Sequence, residues 1–397
     1  MRYLLILLVC CAMANYTIPS IGGEKIPRDE RVTKLLMELA PNDGPGIQYT
    51  IVNKNATILA FSSGLADINN RTPLSLIHTM AAFSMTKPIT AFAILQLLEK
   101  QVINLDDRVS KHINHPYGPE INIRQLLDHT SGIPNPIPLK WVHLATDHIN
   151  FNEKAALAKA LEDNAKPGSP PGEKYAYSNI GYWLLGEIIE AAAKQSYTDY
   201  VRKNIFQPLR LTQGDIDFLI TDNARHAKGY LAKYSLMNLV KGFVTDKVVW
   251  GRYEGNWLHI KDVYVNGPSF GGAIGSAKAF GRILQDLLAE RSVLLSEDSK
   301  HLLFSRQQTR SGKYIDMTLG WHIGILEGIQ YFYKEGGGAG FHSEMRTYPT
   351  IGLASVIMTN KTSFNSRKQL SNLDRMYKKM GTVLFNLKDN EKQNRPH

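Results

Sequence analysis

Residues 83–98 read FSMTKPITAFAILQLL: a serine, a lysine three positions later, a proline, and then an apolar run with leucines and isoleucines at helical spacing. If a helix starts at Ser84, Lys87 lies one turn further along the same face, with Cβ atoms roughly 5–6 Å apart. The amine then reaches the hydroxyl, and the unpaired N–H groups of the first turn favour an anionic intermediate beside them. Pro88 costs nothing there, because a first-turn N–H has no partner inside the helix. Burial in a cleft beside a second cation lowers a lysine pKa enough for it to take the serine proton. The competing reading is the polar start of an ordinary buried helix, and the serine–lysine spacing alone does not separate the two.

The surroundings set the fold. Upstream, residues 29–39 (DERVTKLLMEL) carry apolar residues at helical spacing, and GIQYTIVNKNATILAFSSG is two β-rich runs on either side of Asn53-Lys54-Asn55, a hairpin pattern. Downstream, residues 319–326, 329–335, 343–349 and 352–360 are strand-like and joined by short turns, and 366–386 returns to a helical pattern. Between them the chain is mostly helical, IGYWLLGEIIEAAAKQ being the clearest case. This order predicts an α+β fold: an antiparallel sheet built from both chain ends (about 29–63 and 319–385), flanked by terminal helices, with an inserted helical lobe (about 84–318). A chain of 397 residues exceeds the usual limit for one core, which agrees with a two-part domain and a cleft between the parts. Residues 234–266 are rich in aromatics without a single period, and read either as a structural excursion or as a lid.

A serine–lysine pair needs a third proton-handling group and donors across the cleft. Tyr177 and Asn179, in PGEKYAYSNIGYWLLGEIIE, offer a phenol and an amide directly before a helix. Two nearby ammonium groups would favour the phenolate of Tyr177, or let it shuttle a proton, and Asn179 could hold the lysine amine through its carbonyl while its N–H groups face a substrate. Tyr264-Val265-Asn266 repeats the spacing, but Gly267-Pro268 follows it as a turn signal. The far wall is YKEGGGAGFHS, where Lys334 and Gly336 share one face of a strand and Glu335 points away. Gly336 there lets a substrate approach the backbone, and the N–H of Gly337 completes an oxyanion hole with that of Ser84. The twelve histidines form no metal-ligand spacing, so neither metal nor cofactor is expected, and His129 reads as a loop brace.

The ends and the charge bound location and partners. Residues 1–14 pair Arg2 with an apolar run and close on Ala12-Met13-Ala14, the pattern of a cleaved secretory signal, with an uncleaved anchor as the alternative. Both cysteines, Cys10 and Cys11, fall inside that run, so the expected mature domain, 15–385, holds itself together without disulfides. Residues 386–397 are polar and read as a disordered tail. The net charge of +10 is spread along the chain rather than clustered, which argues against a nucleic-acid partner; a secreted or periplasmic enzyme with a small-molecule or peptide substrate, including a cell-wall fragment, is expected.

Five stretches in order (FSMTKPIT, LLDHTSGIP, PGEKYAYSNIGYWLLGEIIE, GPSFGGAIGSAKAFGRILQ and LGWHIG) resemble the class C β-lactamase-related serine hydrolases of the β-lactamase and penicillin-binding-protein superfamily. The resemblance implies a β-lactamase/transpeptidase-like fold over residues 30–385. It makes Ser84 the acylated nucleophile, Lys87 its proton partner, Tyr177 the general base, Asn179 a positioning amide and Lys334 the cation that tunes Tyr177. It implies an acyl-enzyme formed from an ester, an amide or a D-amino-acid peptide. A true β-lactamase or D-alanyl-D-alanine carboxypeptidase, and a non-catalytic binding protein of the same fold, are the alternatives. One departure counts against the β-lactam reading: Glu335 and Gly337 stand where penicillin-recognising members place hydroxyls.

Overall fold

The computed structural model describes residues 30–40, 42–136, 140–362 and 365–377. The expectations for residues 1–14 and 386–397 lie outside the described residues. The early hairpin forms as β1 (Ile47–Asn53) and β2 (Thr57–Ser63), and the late run as β3 (His322–Leu326), β4 (Ile329–Gly338), β5 (Phe341–Tyr348) and β6 (Leu353–Thr359). All six join one antiparallel sheet in the order β3-β4-β5-β6-β1-β2. The two chain ends meet where β1 pairs with β6, from Ile47 opposite Thr359 to Asn53 opposite Leu353.

Side-chain alternation along these strands fixes that register, because a slip of one residue would turn the apolar set to the wrong face. On one face Ile47, Tyr49, Ile51 and Ile357 pack with Val32 and Leu36 of α1 (Glu30–Leu39) and with Leu370 and Leu373 of the helical residues 366–377. On the other, Val52, Val356 and Met358 join the main core with Phe280 and Ile283. Gly281 permits this approach: a Cβ there would sit 3.0 Å from the Thr50 methyl.

The lobe is centred on α2 (Lys87–Glu99), in which every residue from Lys87 to Leu97 is buried. A helix apolar around its whole circumference belongs in a core, and α3 (Asn179–Ala193) packs against it. The helix that carries Phe280 and Ile283, α4 (Ala277–Leu288), lies against the sheet strands β1 and β6. The segment between the chain ends also holds strands that its helical pattern concealed. Gly229–Ala232, Trp257–Ile260 and Trp250–Glu254 form a small sheet, and Val142–Leu144 pairs with Val263–Val265. Residues 234–266 have no single period because they combine a helix, Leu236–Val244, with three short strands.

A buried ionic cluster ties the sheet to the C-terminal helical residues. Arg346 is fully buried and donates to Glu344 Oε1 at 2.7 Å and to Asp374 Oδ2 at 3.4 Å. Removing one member of a buried pair strands the remaining charge, a loss of about 3–5 kcal/mol. Arg346→Ala is therefore expected to lower the unfolding free energy by about 4 kcal/mol in urea titration, whereas Arg367→Ala, at an exposed site, shifts it by less than about 0.5 kcal/mol.

Candidate active site

Ser84 sits in a 3-10 turn, Phe83–Thr86, that runs directly into α2. Phe83 takes φ +47°, a left-handed conformation uncommon for a bulky residue and one that stores strain where it occurs. The turn is clamped from both sides: Thr86 Oγ1 donates to the Phe83 carbonyl at 2.7 Å and accepts from the Ala273 N–H at 3.0 Å.

Lys87 is fully buried, and among the described residues no carboxylate lies within ion-pair distance of it. Its Nζ donates to Asn179 Oδ1 and to the Phe270 carbonyl, each at 2.7 Å, and stands 3.1 Å from Ser84 Oγ. A neutral amine has two N–H bonds and one lone pair. Two carbonyl oxygens take the two donors, so the lone pair faces the serine hydroxyl. Burial, and secondarily the Lys334 charge, hold the Lys87 pKa well below the ordinary lysine value.

Tyr177 Oη lies 2.8 Å from Ser84 Oγ on the other side. The Lys87 and Lys334 amines stand 4.9 and 5.0 Å from the centroid of its ring. Lys334 is buried as well, and desolvation brings it down to about 7. Of the two states open to Tyr177, a phenolate or a proton-shuttling phenol, burial favours the phenol: it raises the pKa, and the hydrogen bond to Ser84 offsets only part of that. Two buried amines that are both partly neutral supply too little positive field to reverse the desolvation.

The two glycines have different tasks. A Cβ on Gly336 would stand 2.0 Å from the Ala82 carbonyl and 3.0 Å from Ser84 N. What presses on Gly336 is thus the turn before the nucleophile, not a substrate, which corrects the expectation for that position. Gly337 does line the cavity, together with Ser84 and Asn179. β3 ends its pairing with β4 at His322 opposite Tyr333, so the rest of β4 presents an open edge towards the Ser84 turn. Glu335 points away as expected and pairs with His342 at 2.9 Å, which holds its carboxyl below the usual range.

Some functional neighbours carried no signal in the sequence. Asn135 Oδ1 accepts from both the backbone N–H and Nδ2 of Asn179 at 3.0 Å, orienting that amide and using one of the donors expected to face a substrate. His322 Nε2 lies 3.5 Å from Lys334 Nζ. His129 braces the Tyr177 loop, its carbonyl accepting from Ala176 N at 2.7 Å and its Nδ1 from Ser178 N at 3.2 Å, with its ring tilted against that of Tyr177 at a centroid distance of 4.3 Å. The rival Tyr264 and Asn266 are engaged elsewhere, with Ile220 and His143.

The cluster opens into a cavity of about 400 Å³, walled by Phe83, Phe270 and the segment from Leu231 to Val265. That volume falls within the range of small-molecule sites.

A family model described as Beta-lactamase matches residues 37–375. The chain is 34% identical over 175 residues to Protein flp of Staphylococcus aureus (strain COL), a match covering 42% of this chain and only 34% of that relative's length. It is 27% identical over 326 residues to Penicillin-binding protein 4* of Bacillus subtilis (strain 168), covering 77% of this chain and 68% of that protein. Among solved structures, an octameric penicillin-binding protein homologue from Pyrococcus abyssi superposes with a TM-score of 0.70 at 22% identity, covering 89% of this chain and 77% of that one. The D-amino acid amidase of Ochrobactrum anthropi SV3 in complex with D-phenylalanine does so with 0.70 at 17% identity, covering 88% and 99%. At these identities the structural likeness speaks for the fold, while the family model spans most of the sequence and includes Ser84, Lys87, Tyr177 and Lys334. The chain belongs to the beta-lactamase family.

Proposed function

We propose that this protein hydrolyses an ester, an amide or a D-amino-acid peptide through an acyl-enzyme on Ser84. The observation that carries this reading is the buried Lys87 amine, held by the carbonyl oxygens of Asn179 and Phe270 with its Nζ 3.1 Å from Ser84 Oγ, where the lone pair of the neutral form would face the hydroxyl. Ser84 Oγ attacks the substrate carbonyl carbon and its proton passes to Lys87 Nζ. The N–H groups of Ser84 and Gly337 hold the oxyanion. As the bond to the leaving group breaks, the Tyr177 phenol protonates that group and is re-protonated from Lys87. Water then attacks the acyl carbon and gives its proton to Lys87 through Tyr177, and Lys87 returns a proton to Ser84 Oγ as the acyl C–O bond breaks, releasing the acid and free Ser84. In this scheme Lys87 is the resting base, and Tyr177 relays the proton.

The fold shared with a D-amino acid amidase is compatible with an amide as one substrate class. Export is part of the same proposal, supported by the apolar run and the Ala12-Met13-Ala14 sequence. Expression in a secreting host should yield a mature chain whose intact mass starts at Asn15; a retained N-terminus would overturn export without touching the chemistry.

A fluorophosphonate probe should add one label to the parent protein and none to Ser84→Ala, read by intact-protein mass spectrometry. Label surviving the substitution, or none on the parent, would remove Ser84 from the nucleophile role and favour a non-catalytic binding protein.

The pH profile of kcat/KM for a soluble ester should be bell-shaped. Lys87 acts only as the free amine, present above its lowered pKa, so the rate falls on the acid side as the amine takes up a proton. Lys334 carries its charge only below about 7, so the rate also falls as pH rises through that value. Lys334→Met should lower the rate by about 10²-fold and erase the alkaline limb. A rate that climbs steadily into alkaline solution would contradict the role of Lys334.

A further inference from the structure

The helix Leu236–Val244 forms part of the cavity wall and has a second, outward face. Met237 and Lys241 line the cavity that holds Ser84. Leu236, Leu239 and Phe243, at spacings of three and four, form a stripe around the helix from them and are 76%, 80% and 86% exposed. Tyr234, just before the helix, is 84% exposed. Four large apolar side chains in the open, on one turn-and-helix unit, form the kind of contiguous patch that marks an interaction surface.

Charge selects the occupant. Residues 233–261 carry five cations, Lys233, Lys241, Lys247, Arg252 and Lys261, against two carboxylates. Glu254 is engaged by Lys228 at 3.0 Å and by the Tyr230 hydroxyl at 2.7 Å, and Asp246 caps the Val248 N–H at 3.1 Å. Lys233, Lys247, Arg252 and Lys261 are exposed. A second copy of the chain would bring the same basic groups against one another, on a protein whose net charge is already +10. An anionic lipid surface meets both features at once, taking the apolar side chains into the headgroup boundary and pairing the cations with phosphates. Helix Leu236–Val244 has 9 residues, too few to cross a bilayer, so its contact is interfacial.

We propose that the outward face of helix Leu236–Val244 seats on an anionic lipid bilayer, and that the cavity takes the apolar acyl chain of an ester drawn from it. This rests on the hydrolase reading and narrows its substrate class. One wall serves both events, so a chain leaving the bilayer past Met237 enters between Leu231, Ile260 and Val265 and presents its ester carbonyl to Ser84. The reaction is the acyl transfer set out above: the ester C–O bond breaks, the lipid-borne alcohol leaves with a proton, and water takes up the acyl group as the free acid.

The test is flotation of the full chain with vesicles of phosphatidylcholine, with and without phosphatidylglycerol. It runs beside turnover of 4-nitrophenyl decanoate carried in those vesicles and of 4-nitrophenyl acetate in solution. The parent should float with the anionic vesicles. The triple variant Leu236→Ser, Leu239→Ser, Phe243→Ser should lose about tenfold or more in vesicle binding and in decanoate turnover, with acetate turnover and melting temperature unchanged. Lys233→Gln and Lys247→Gln should each weaken binding about fivefold, and added salt should do the same. A parent that turns over acetate but ignores both vesicle types overturns the lipid contact and leaves the hydrolase reading intact. A triple variant that floats like the parent removes the helix from the contact. A concentration-dependent dimer in sedimentation that the triple variant abolishes, with no flotation, assigns the face to a second copy instead. Flotation without turnover of either ester keeps the lipid contact and overturns the substrate half together with the hydrolase reading.

Discussion

A lysine amine sealed in the core, with no carboxylate beside it among the described residues, is the constraint on which the rest of the site depends. Burying an ammonium ion unpaired is far more costly than burying an amine, so burial and the Lys334 charge lower the Lys87 pKa and favour the free amine. For that to be useful the lone pair must point at a nucleophile. The Asn179 and Phe270 oxygens take both N–H bonds and leave one direction, towards Ser84. The burial of α2, which looks like ordinary core formation, is therefore also what prepares the base. Residues 91–97 need burial to fold, and Lys87 needs the same burial to act.

The sheet contributes the complementary constraint. β4 must approach the Ser84 turn closely enough to bring Lys334 over the Tyr177 ring and Gly337 into the cavity wall. That approach leaves no room for a Cβ at residue 336, and it presses against a turn already held with Phe83 in a left-handed conformation. Both chain ends build the sheet, and β1 pairs along the full length of β6, so the position of β4 relative to the lobe depends on contacts spread over the whole chain. A site assembled this way is rigid where the reacting atoms sit, which favours preorganised stabilisation of charge.

Much of this was legible from residue order. The hairpin, the late strands and the helices around Ser84 and Asn179 showed in simple periodicity, because each has one face or its whole surface in the core. Ser84, Lys87, Tyr177, Asn179 and Lys334, named from motif chemistry, come together around one point. What was not legible depends on tertiary approach. Asn135 lies in a proline-rich loop with no pattern to mark it, and its role appears only when Asn179 is placed beside it. Gly336 read as space for a substrate, because nothing local reveals that Ala82 occupies that space. The state of Tyr177, left open between a phenolate and a proton shuttle, was not legible for a related reason. Counting nearby cations suggests a phenolate, but burial neutralises those cations and raises the phenol at the same time.

The same physics explains why residues 234–266 resisted reading. Amphipathic periodicity is legible when the apolar side faces protein and the polar side faces water. In helix Leu236–Val244 a polar lysine and a methionine line the cavity while leucines and a phenylalanine face outward, so the usual correspondence between pattern and burial fails. Across the cleft, Glu335 pairs with His342 and Gly337 has no hydroxyl, so residues 335 and 337 offer a substrate carboxylate no hydroxyl there, while His342 and Thr362 also line the cavity. Under the proposal above, an uncharged acyl chain would rest on the apolar side chains of the opposite wall, which also holds the Lys241 amine. The proton-handling cluster is indifferent to that choice, since its distances involve only the carbonyl and the leaving group, and the walls alone set what reaches it.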